Sequence, residues 1–255
     1  MAIETIGEPI FLENEDVKRI LNEVIAVTPL GYAVYLRGGA LRNAIYFRLF
    51  REKMTQRDFD ITVIGEKKPF VESLLAIGFV LGKKNTATAV VLKKPRHANP
   101  SEDFDDWVYL DCMFRPGGNI ADDLKRHVNF TINGAALELK LIHDPEWYIK
   151  IVTLPSMIDD LKAKQLRTNA RFPINAYACV RFVSRGFQPP PREEIDLMVN
   201  DLANLSEEDF VRDSAKVISY VGSAEEVRKI ASRIGIPFDI LDLRAIQDFR
   251  THGES

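Results

Sequence analysis

The chain has 255 residues, of which 46% are hydrophobic and 28% charged, so it is long enough to bury a substantial core without disulfides. These values exclude a short peptide and a chain dominated by disorder. Because 34 Lys and Arg residues are balanced by 37 Asp and Glu residues, the formal net charge is −3, and any contact with nucleic acid must come from local basic clusters.

The first predicted elements are a helix, a strand and a second helix. Residues 14–27 carry apolar side chains at the spacing of one helical face, and the asparagine at the start is placed to cap that helix. Residues 32–36 are apolar and β-branched or aromatic, as in a buried strand. The pair Gly38-Gly39 follows, and a helical period returns over residues 41–49. This order predicts a strand, a glycine turn and a helix whose N-terminus points at whatever lies above the strand.

The next segment is typical of a sheet. Residues 58–64 alternate acidic or polar side chains with apolar ones at period two, which predicts a strand with one apolar and one acidic face. Further along, the pattern predicts a helix at 69–77, strands at 79–81 and 86–93, a loop at 95–106, and a strand at 107–115. One face of this last strand carries both Asp111 and Arg115.

Helical patterns alone continue after residue 154. They cover residues 157–164, 174–184, 193–205, 207–220 and 224–234. The sequence therefore predicts an α+β fold, with a head domain at residues 1–153 and a helical neck and C-terminal domain at residues 154–255. The neck carries seven basic residues and no acidic one between positions 161 and 192, whereas residues 193–248 carry thirteen acids and six bases. The basic run is either a solvated face or a surface for an anionic partner.

Cysteine content limits the metal sites that we expect, and hydropathy limits the expected cellular location. Cys112 and Cys179 have no second Cys or His at metal-ligand spacing, so we expect two reduced, buried thiols and no zinc. The first residues lack a basic segment followed by an apolar one, and no run reaches about 18 apolar residues. We therefore expect a cytoplasmic protein with no membrane partner.

Two carboxylates form the most specific chemical feature. Asp58 and Asp60 stand at positions i and i+2 of a predicted strand and project from one face, where both stay ionised only beside a strong cation. Mg²⁺ takes oxygen ligands and commonly binds one or two carboxylates together with substrate phosphates. The pair therefore indicates two-metal phosphoryl or nucleotidyl transfer, although acids also alternate on ordinary exposed strands.

The glycine pair reinforces that interpretation. Without a Cβ atom, Gly38 and Gly39 permit positive φ and close approach of a ligand, and the helix that follows offers free N–H groups to an anion such as a triphosphate. A tight connection with no ligand is the alternative. Arg37 and Arg42 flank the pair, and the acidic strand follows within 25 residues.

Several ordered segments between residues 32 and 187 resemble one family. The sequence Leu-Arg-Gly-Gly-Ala-Leu-Arg-Asn at 36–43 is similar to the Gly-Gly-x-x-Arg-Asp turn, and Arg-Asp-Phe-Asp-Ile at 57–61 to the metal-binding Asp-x-Asp strand, of the poly(A) polymerase and CCA-adding enzyme family. This family is the class II, bacterial-type branch of the DNA polymerase β-like nucleotidyltransferases. Further similar segments lie at 110–115, 129–135, 143–145, 160–167, 180–182 and 186–187.

The resemblance implies a set of roles, position by position. Asp58 and Asp60 would hold two Mg²⁺ ions, and Asp111 is our own candidate for a third catalytic acid, with a structural pairing to Arg115 as the alternative. The residues implied to bind the NTP are Gly38, Gly39, Arg42, Arg115, Asn129 and Asn133, although Asn133 is equally suited to capping a helix. The basic residues implied to form an acceptor or RNA surface are Lys162, Lys164, Arg167, Arg171, Arg181 and Arg185.

The sequence also departs from the family pattern. Asn43 replaces the Asp of the turn, and His127-Val128-Asn129 replaces Arg-Arg-Asp. In the neck, the segment 171–175 and Ala178 stand where base-reading Glu, Asp and Arg are usual. Selection of C and A therefore does not follow from the resemblance.

Three functions fit these patterns. The first is a metal-dependent nucleotidyltransferase that moves a nucleoside monophosphate from an NTP to a hydroxyl acceptor, such as a tRNA-like 3′ end, and releases pyrophosphate. The second is a non-catalytic binding or assembly protein with the same fold. The third is a nucleotidyltransferase that modifies tRNA or protein as a toxin or defence factor.

Overall fold

A computed structural model describes residues 7–54, 58–202 and 204–236. The chain divides into two compact units, one made of residues 1–128 and 132–158 and the other of residues 129–131 and 159–255. The predicted domain boundary after residue 153 stays a prediction. The mixed sheet and the many helices confirm the predicted α+β class.

The first unit contains seven strands and four helices among its described residues. In chain order these are α1 (Glu15–Val27), β1 (Ala33–Arg37), α2 (Gly38–Phe50), β2 (Asp58–Ile64), α3 (Lys67–Ala76), β3 (Val80–Asn85), β4 (Ala89–Pro95), β5 (Trp107–Phe114), α4 (Ile120–His127), β6 (Ala135–Glu138) and β7 (Val152–Thr153). Short 3₁₀ helices complete the unit, and one of them (Phe104–Asp106) lies in the predicted loop before β5.

The strands form one mixed sheet in the order β3-β4-β5-β2-β1-β6-β7. Strands β2 and β5 run parallel, and every other pair of neighbouring strands in this sheet is antiparallel. Successive side chains of β2 and β5 point to opposite faces of the sheet. Those on one face are buried, namely Phe59, Ile61, Leu110 and Cys112. Helix α2 packs against β1 and β2. The other face of β2 and β5 is half-buried, which leaves it accessible to a ligand.

The predicted elements of this unit recur with small shifts. Asn14 caps α1, because its side-chain oxygen accepts a hydrogen bond from the N–H of Val17 at 3.0 Å. The strand at 58–64 has the predicted bounds. Helix α2 starts at Gly38 directly after β1, so the two glycines form the first helical residues rather than a separate turn. Arg57, which belongs to the quoted Asp-x-Asp segment, lies outside the described residues.

The second unit is helical. It contains α6 (Asn175–Val183), α7 (Arg192–Leu202), α8 (Glu207–Val221) and α9 (Ala224–Ile234), while α5 (Met157–Lys162) crosses the boundary between the units. Helix α6 is buried over nearly its whole length and packs against the other three. Inside, the Ser214 hydroxyl donates to the Tyr177 hydroxyl at 3.0 Å, and Phe130 meets Phe182 edge to face. The last part of the predicted C-terminal domain, residues 237–255, lies outside the described residues.

Two predicted properties concern the whole described chain. Cys112 and Cys179 are both buried and form no disulfide, as expected. In the described ranges we find no helix with the length and hydropathy needed to cross a membrane.

Candidate active site

Three carboxylates lie together on the half-buried face of the sheet. Asp60 pairs in register with Asp111 across the parallel strands β2 and β5, and Asp58 pairs with Tyr109. Because side chains in register on neighbouring strands point to the same face, the three carboxylates share one surface. The structure thus brings together the three acids that the sequence analysis nominated for catalysis.

The start of α2 lies directly against one of these acids. Arg37 pairs with Asp60 across β1 and β2, so Gly38 and Gly39 follow immediately beside that carboxylate. The Gly39 N–H donates to Asp60 Oδ2 at 3.4 Å. Gly38 has a φ of +65°, and a Cβ atom at this position would lie 2.3 Å from Asp60 Oδ2. Glycine is therefore required here both for the backbone conformation and for the space that the carboxylate occupies.

The electrostatics of this face favour a cation. Burial is the largest cause that raises the pKa of Asp60, and the neighbouring Asp58 and Asp111 act in the same direction. The Arg37 guanidinium and the Gly39 N–H act in the opposite direction, but the pKa stays above its ordinary value. Three neighbouring carboxylates, one of them with a raised pKa, are an arrangement that a bound cation would stabilise.

The donor set fits a hard divalent ion. Carboxylate oxygens are the ligands that Mg²⁺ prefers, and the raised pKa of Asp60 marks a charge that a bound cation would stabilise. Asp58 and Asp60 are the residues that would hold the ion. Within residues 7–54, 58–202 and 204–236, no three Asp, Glu, His or Cys side chains already converge as tightly as a complete metal site.

Asp111 and Arg115 take different partners. The Lys84 ammonium lies 3.4 Å from both carboxylate oxygens of Asp111. The Arg115 guanidinium instead donates from Nε to Asp123 Oδ1 at 2.6 Å. The alternative pairing of Asp111 with Arg115 is therefore absent from these contacts, and Asp111 stays on the accessible face.

Asp123 is a buried acid that the sequence analysis missed. Only 1% of its side chain is exposed, and besides Arg115 it accepts a hydrogen bond from the Thr62 hydroxyl at 2.9 Å. The Arg37 Nε lies 4.0 Å from the same carboxylate. Asp123 thus anchors Arg115 by a hydrogen-bonded ion pair, while Arg37 lies at the limit of ion-pair distance. Its position on the buried side of α4, next to Leu124 and three residues after Ile120, is the signal that would have identified it.

Two of the proposed nucleotide contacts form a buried polar network. Arg42 is 5% exposed, and its Nη2 donates to Asn43 Oδ1 at 2.8 Å. Its other terminal nitrogen donates to the side-chain oxygen of Asn133. Asn43, the residue that departs from the family pattern, therefore holds the guanidinium of Arg42. The nucleotide-binding roles of Arg42 and Asn133 stay predictions.

The remaining candidates belong to the second unit. The side chain of Asn129 accepts from the N–H of Phe130 at 2.9 Å, and its backbone carbonyl accepts from Asn169. Acids from outside the basic run bind three of its arginines. Arg167 pairs with Asp160 at 3.2 Å, and Arg171 pairs with Asp201 at 2.6 Å. The third pair is Arg192 with Asp196 at 2.9 Å.

The other four basic residues of the run differ in exposure and in their aromatic neighbours. Lys162 is exposed and Lys164 is half-buried. The guanidiniums of Arg181 and Arg185 lie 5.0 and 5.5 Å from the centre of the Tyr220 ring. The run is therefore partly compensated, and its role as an RNA surface stays a prediction.

The altered base-reading positions lie in the helical core. Asn175 is fully buried and donates from Nδ2 to the Ala170 carbonyl at 2.9 Å, and Ala178 is 8% exposed. Neither side chain is placed on an open surface of this unit. Their departure from the family pattern is therefore accompanied by a structural use for both.

Comparison with known proteins gives a structural likeness. No protein-family model matches the chain, and no curated protein matches it. A Thermotoga maritima CCA-adding enzyme complexed with tRNA aligns with 87% of this chain and 51% of its own length, at 17% identity and a TM-score of 0.63. A CCA-adding enzyme in complex with CTP aligns over 92% and 56%, at 18% identity and a TM-score of 0.64. A Bacillus stearothermophilus CCA-adding enzyme with CTP aligns over 87% and 52%, at 20% identity and 0.56.

These alignments establish the fold. The chain has the fold of the CCA-adding enzymes over the aligned residues, which confirms the fold that the motif resemblance implied. The chain spans about half the length of these solved proteins.

The contact between Gly38 and Asp60 predicts the effect of adding one methyl group. We expect Gly38→Ala to lower the free energy of unfolding by at least about 1 kcal/mol more than Gly117→Ala. Gly117 has a similar φ of +67° but nothing within 4 Å of the added Cβ, so it reports the backbone strain alone. Urea unfolding of both variants measures the difference, and equal losses would show that Asp60 does not restrict this position.

Removal of the charge on Asp123 tests the arginine anchor. Because Asp123→Asn leaves the partly buried Arg115 guanidinium without its carboxylate, we expect a loss of about 3 kcal/mol in the free energy of unfolding. Asp122→Asn, an exposed neighbour on the same helix, should cost no more than about 0.5 kcal/mol. A comparable small loss in both variants, measured by urea unfolding, would contradict the anchoring role.

The raised pKa of Asp60 gives a pH dependence of defined sign. Below the ordinary value of 3.8 the folded and unfolded chains both hold the proton, so Asp60 costs nothing. As the pH rises above 3.8 the unfolded chain loses this proton first, and the folded state loses stability until the pH exceeds the folded pKa. Asn cannot ionise.

The stability advantage of Asp60→Asn over the original chain should therefore grow as the pH rises above 3.8 and become constant once the pH exceeds the raised pKa of folded Asp60. Urea unfolding across this range measures it, with Glu72→Gln, an exposed site on α3, as the control. A pH-independent difference between Asp60→Asn and the original chain would be inconsistent with the raised pKa.

Proposed function

We propose that this protein is a nucleotidyltransferase that moves a nucleoside monophosphate from an NTP to a hydroxyl of an RNA acceptor. The observation that carries the proposal is the placement of Asp58, Asp60 and Asp111 on one face, directly beside the glycine start of α2. Oxygen donors for a divalent ion next to the N-terminus of a helix are the parts that nucleotidyl transfer requires.

The fold supports the same conclusion. Solved proteins with this fold include CCA-adding enzymes complexed with tRNA or with CTP. Their names supply the substrate classes of the proposal, an NTP and a tRNA-like acceptor. Because this chain spans about half of their length, the acceptor and the base that is added belong to the proposal.

In the proposed reaction the acids and the helix start have separate tasks. Mg²⁺, when bound, neutralises charge on the triphosphate and activates the attacking oxygen. Asp58 and Asp60 would hold the ion, and the Gly39 N–H donates to the Asp60 carboxylate and keeps it in place. Arg115, anchored by Asp123, and Arg37, 4.0 Å from the same carboxylate, supply positive charge at the edge of the site for the phosphate oxygens.

Asp111 is the proposed general base. The acceptor hydroxyl attacks the α-phosphorus, its oxygen forms the new P–O bond, and the bond to the β-phosphate oxygen breaks to release pyrophosphate. The hydroxyl proton passes to the Asp111 carboxylate. The Lys84 ammonium lies 3.4 Å from both oxygens of that carboxylate and orients it on this face.

The acceptor surface is proposed on the helical unit. Of the six candidate residues there, Arg167 and Arg171 already bind acids, so they orient their surroundings more than they attract a polyanion. Lys162 is exposed and suits a phosphate contact. Lys164, Arg181 and Arg185 complete the proposed surface.

A non-catalytic binding or assembly protein is the second candidate. The observation that favours it is the burial of Arg42, whose guanidinium is bound by Asn43 and Asn133. A side chain held in this way is poorly placed to reach a triphosphate. The intact set of three acids and the glycine start oppose this candidate.

Transfer of labelled nucleotide separates the two candidates. The full chain is incubated with Mg²⁺, total RNA and each of the four α-labelled NTPs in turn. We expect incorporation with at least one NTP, and a decrease of at least about a hundredfold in Asp58→Ala. Glu72→Gln, on an exposed face of α3, should retain the original rate.

A binding measurement accompanies the assay. Thermal unfolding should shift upward with NTP and Mg²⁺ together, and Asp60→Asn should lose that shift while it remains folded. If the original chain and Asp58→Ala are equally inert with every nucleotide and acceptor, the enzyme proposal fails. A retained Mg²⁺-dependent shift would then support the binding protein.

A further inference from the structure

An aromatic stack extends the acidic face along β5. Phe104, in the 3₁₀ helix before the strand, stacks face to face on Tyr109, with ring centres 4.3 Å apart and an angle of 6° between the planes. Tyr109 is half-buried, whereas Phe104 is 43% exposed, so the outer face of the stack is open to solvent. A large exposed ring held rigidly by a partner ring is an unusual surface feature.

This stack adjoins the proposed reaction centre. Tyr109 pairs in register with Asp58 and lies two residues before Asp111 on the same face of β5. At the rise of a β-strand, that spacing is about 7 Å. A group bound on the stack is therefore within reach of the acids.

Basic side chains accompany the rings. Lys93 pairs in register with Tyr109 across β4 and β5, and its ammonium lies 4.0 Å from the centre of the Trp107 ring. Lys84 lies on the other side, at the carboxylate of Asp111. Rings interleaved with lysines are the composition of surfaces that bind single-stranded nucleic acid, where bases stack on the rings and phosphates meet the ammonium groups.

We propose that Phe104 and Tyr109 form a stacking platform for an unpaired base near the 3′ end of the RNA acceptor. The inference rests on the proposed function and names a contact for its substrate. The base continues the stack on the outer face of Phe104, and Lys93 faces the adjoining phosphate.

The acids around the platform restrict its partner further. Glu102, Asp103 and Asp105 are exposed beside Phe104 on the same short segment. A duplex would bring a second phosphate backbone towards these acids, and like charges repel. A single strand can place its base on the ring and turn its phosphates towards Lys93. The platform therefore favours single-stranded over double-stranded ends.

Binding of a short RNA tests the platform without chemistry. The probe is a fluorescent single-stranded RNA decamer, titrated with the full chain in EDTA and without NTP, and followed by anisotropy. We expect Phe104→Ala to raise the Kd about tenfold, the effect of one lost base stack, and Phe104→Trp to restore binding within about twofold. Leu30→Ala, which truncates a fully exposed leucine between α1 and β1, is the matched control and should leave the Kd unchanged.

Strand selectivity is the second measurement. The same decamer annealed to its complement should bind at least about tenfold more weakly than the single strand. An unchanged Kd in Phe104→Ala, or equal affinity for single strand and duplex, overturns the platform. Failure of the original chain to bind the decamer overturns it as well, and the exposed stack then becomes a surface for a protein partner.

The outcome is separable from that of the proposed function. If Asp58→Ala loses nucleotide transfer and Phe104→Ala binds RNA normally, the enzyme proposal is retained and the platform is rejected. If Phe104→Ala binds RNA more weakly and no variant transfers nucleotide, the platform is retained and the enzyme proposal is rejected.

Discussion

The close approach of the α2 N-terminus to the Asp60 carboxylate is the contact on which the proposed site depends. A side chain larger than hydrogen at Gly38 would occupy the position of Asp60 Oδ2. With glycine there, the helix can start directly after β1, and the Gly39 N–H reaches the carboxylate. The orientation of Asp60 is therefore set by the backbone of a neighbouring element, which moves far less than a side chain would.

Two groups of acidic side chains lie near this contact, one accessible and one buried, and they have different functions. On the accessible face, Asp58, Asp60 and Asp111 concentrate negative charge that suits a divalent ion. On the buried side of α4, Asp123 forms a close ion pair with Arg115 and lies 4.0 Å from Arg37, so it serves to position Arg115. The same residue type thus supplies ligands in one place and a scaffold in another, according to its burial and its partners.

The sequence predicts the parts of this fold that have strong periodicity. The alternation at 58–64 and the capped pattern of α1 correspond closely to observed elements, and the acids were identified because alternate positions share a face. The short strands β6 and β7 and the eight-residue helix α4 carry too few residues for a clear period. The partners of Asp111 and Asp123 could not be predicted, because Lys84 and Thr62 reach them from other strands through tertiary packing.

The parallel pairing of β2 with β5 has a consequence for how the chain folds. Asp60 and Asp111 are neighbours although α3, β3 and β4 separate their strands in the chain, since parallel strands need a long crossover connection. Pairings of this kind have high contact order, and the entropy of the loop is lost before the contact is gained. We therefore expect the repulsion among the acids to arise late in folding, when the buried apolar face of the sheet offsets it.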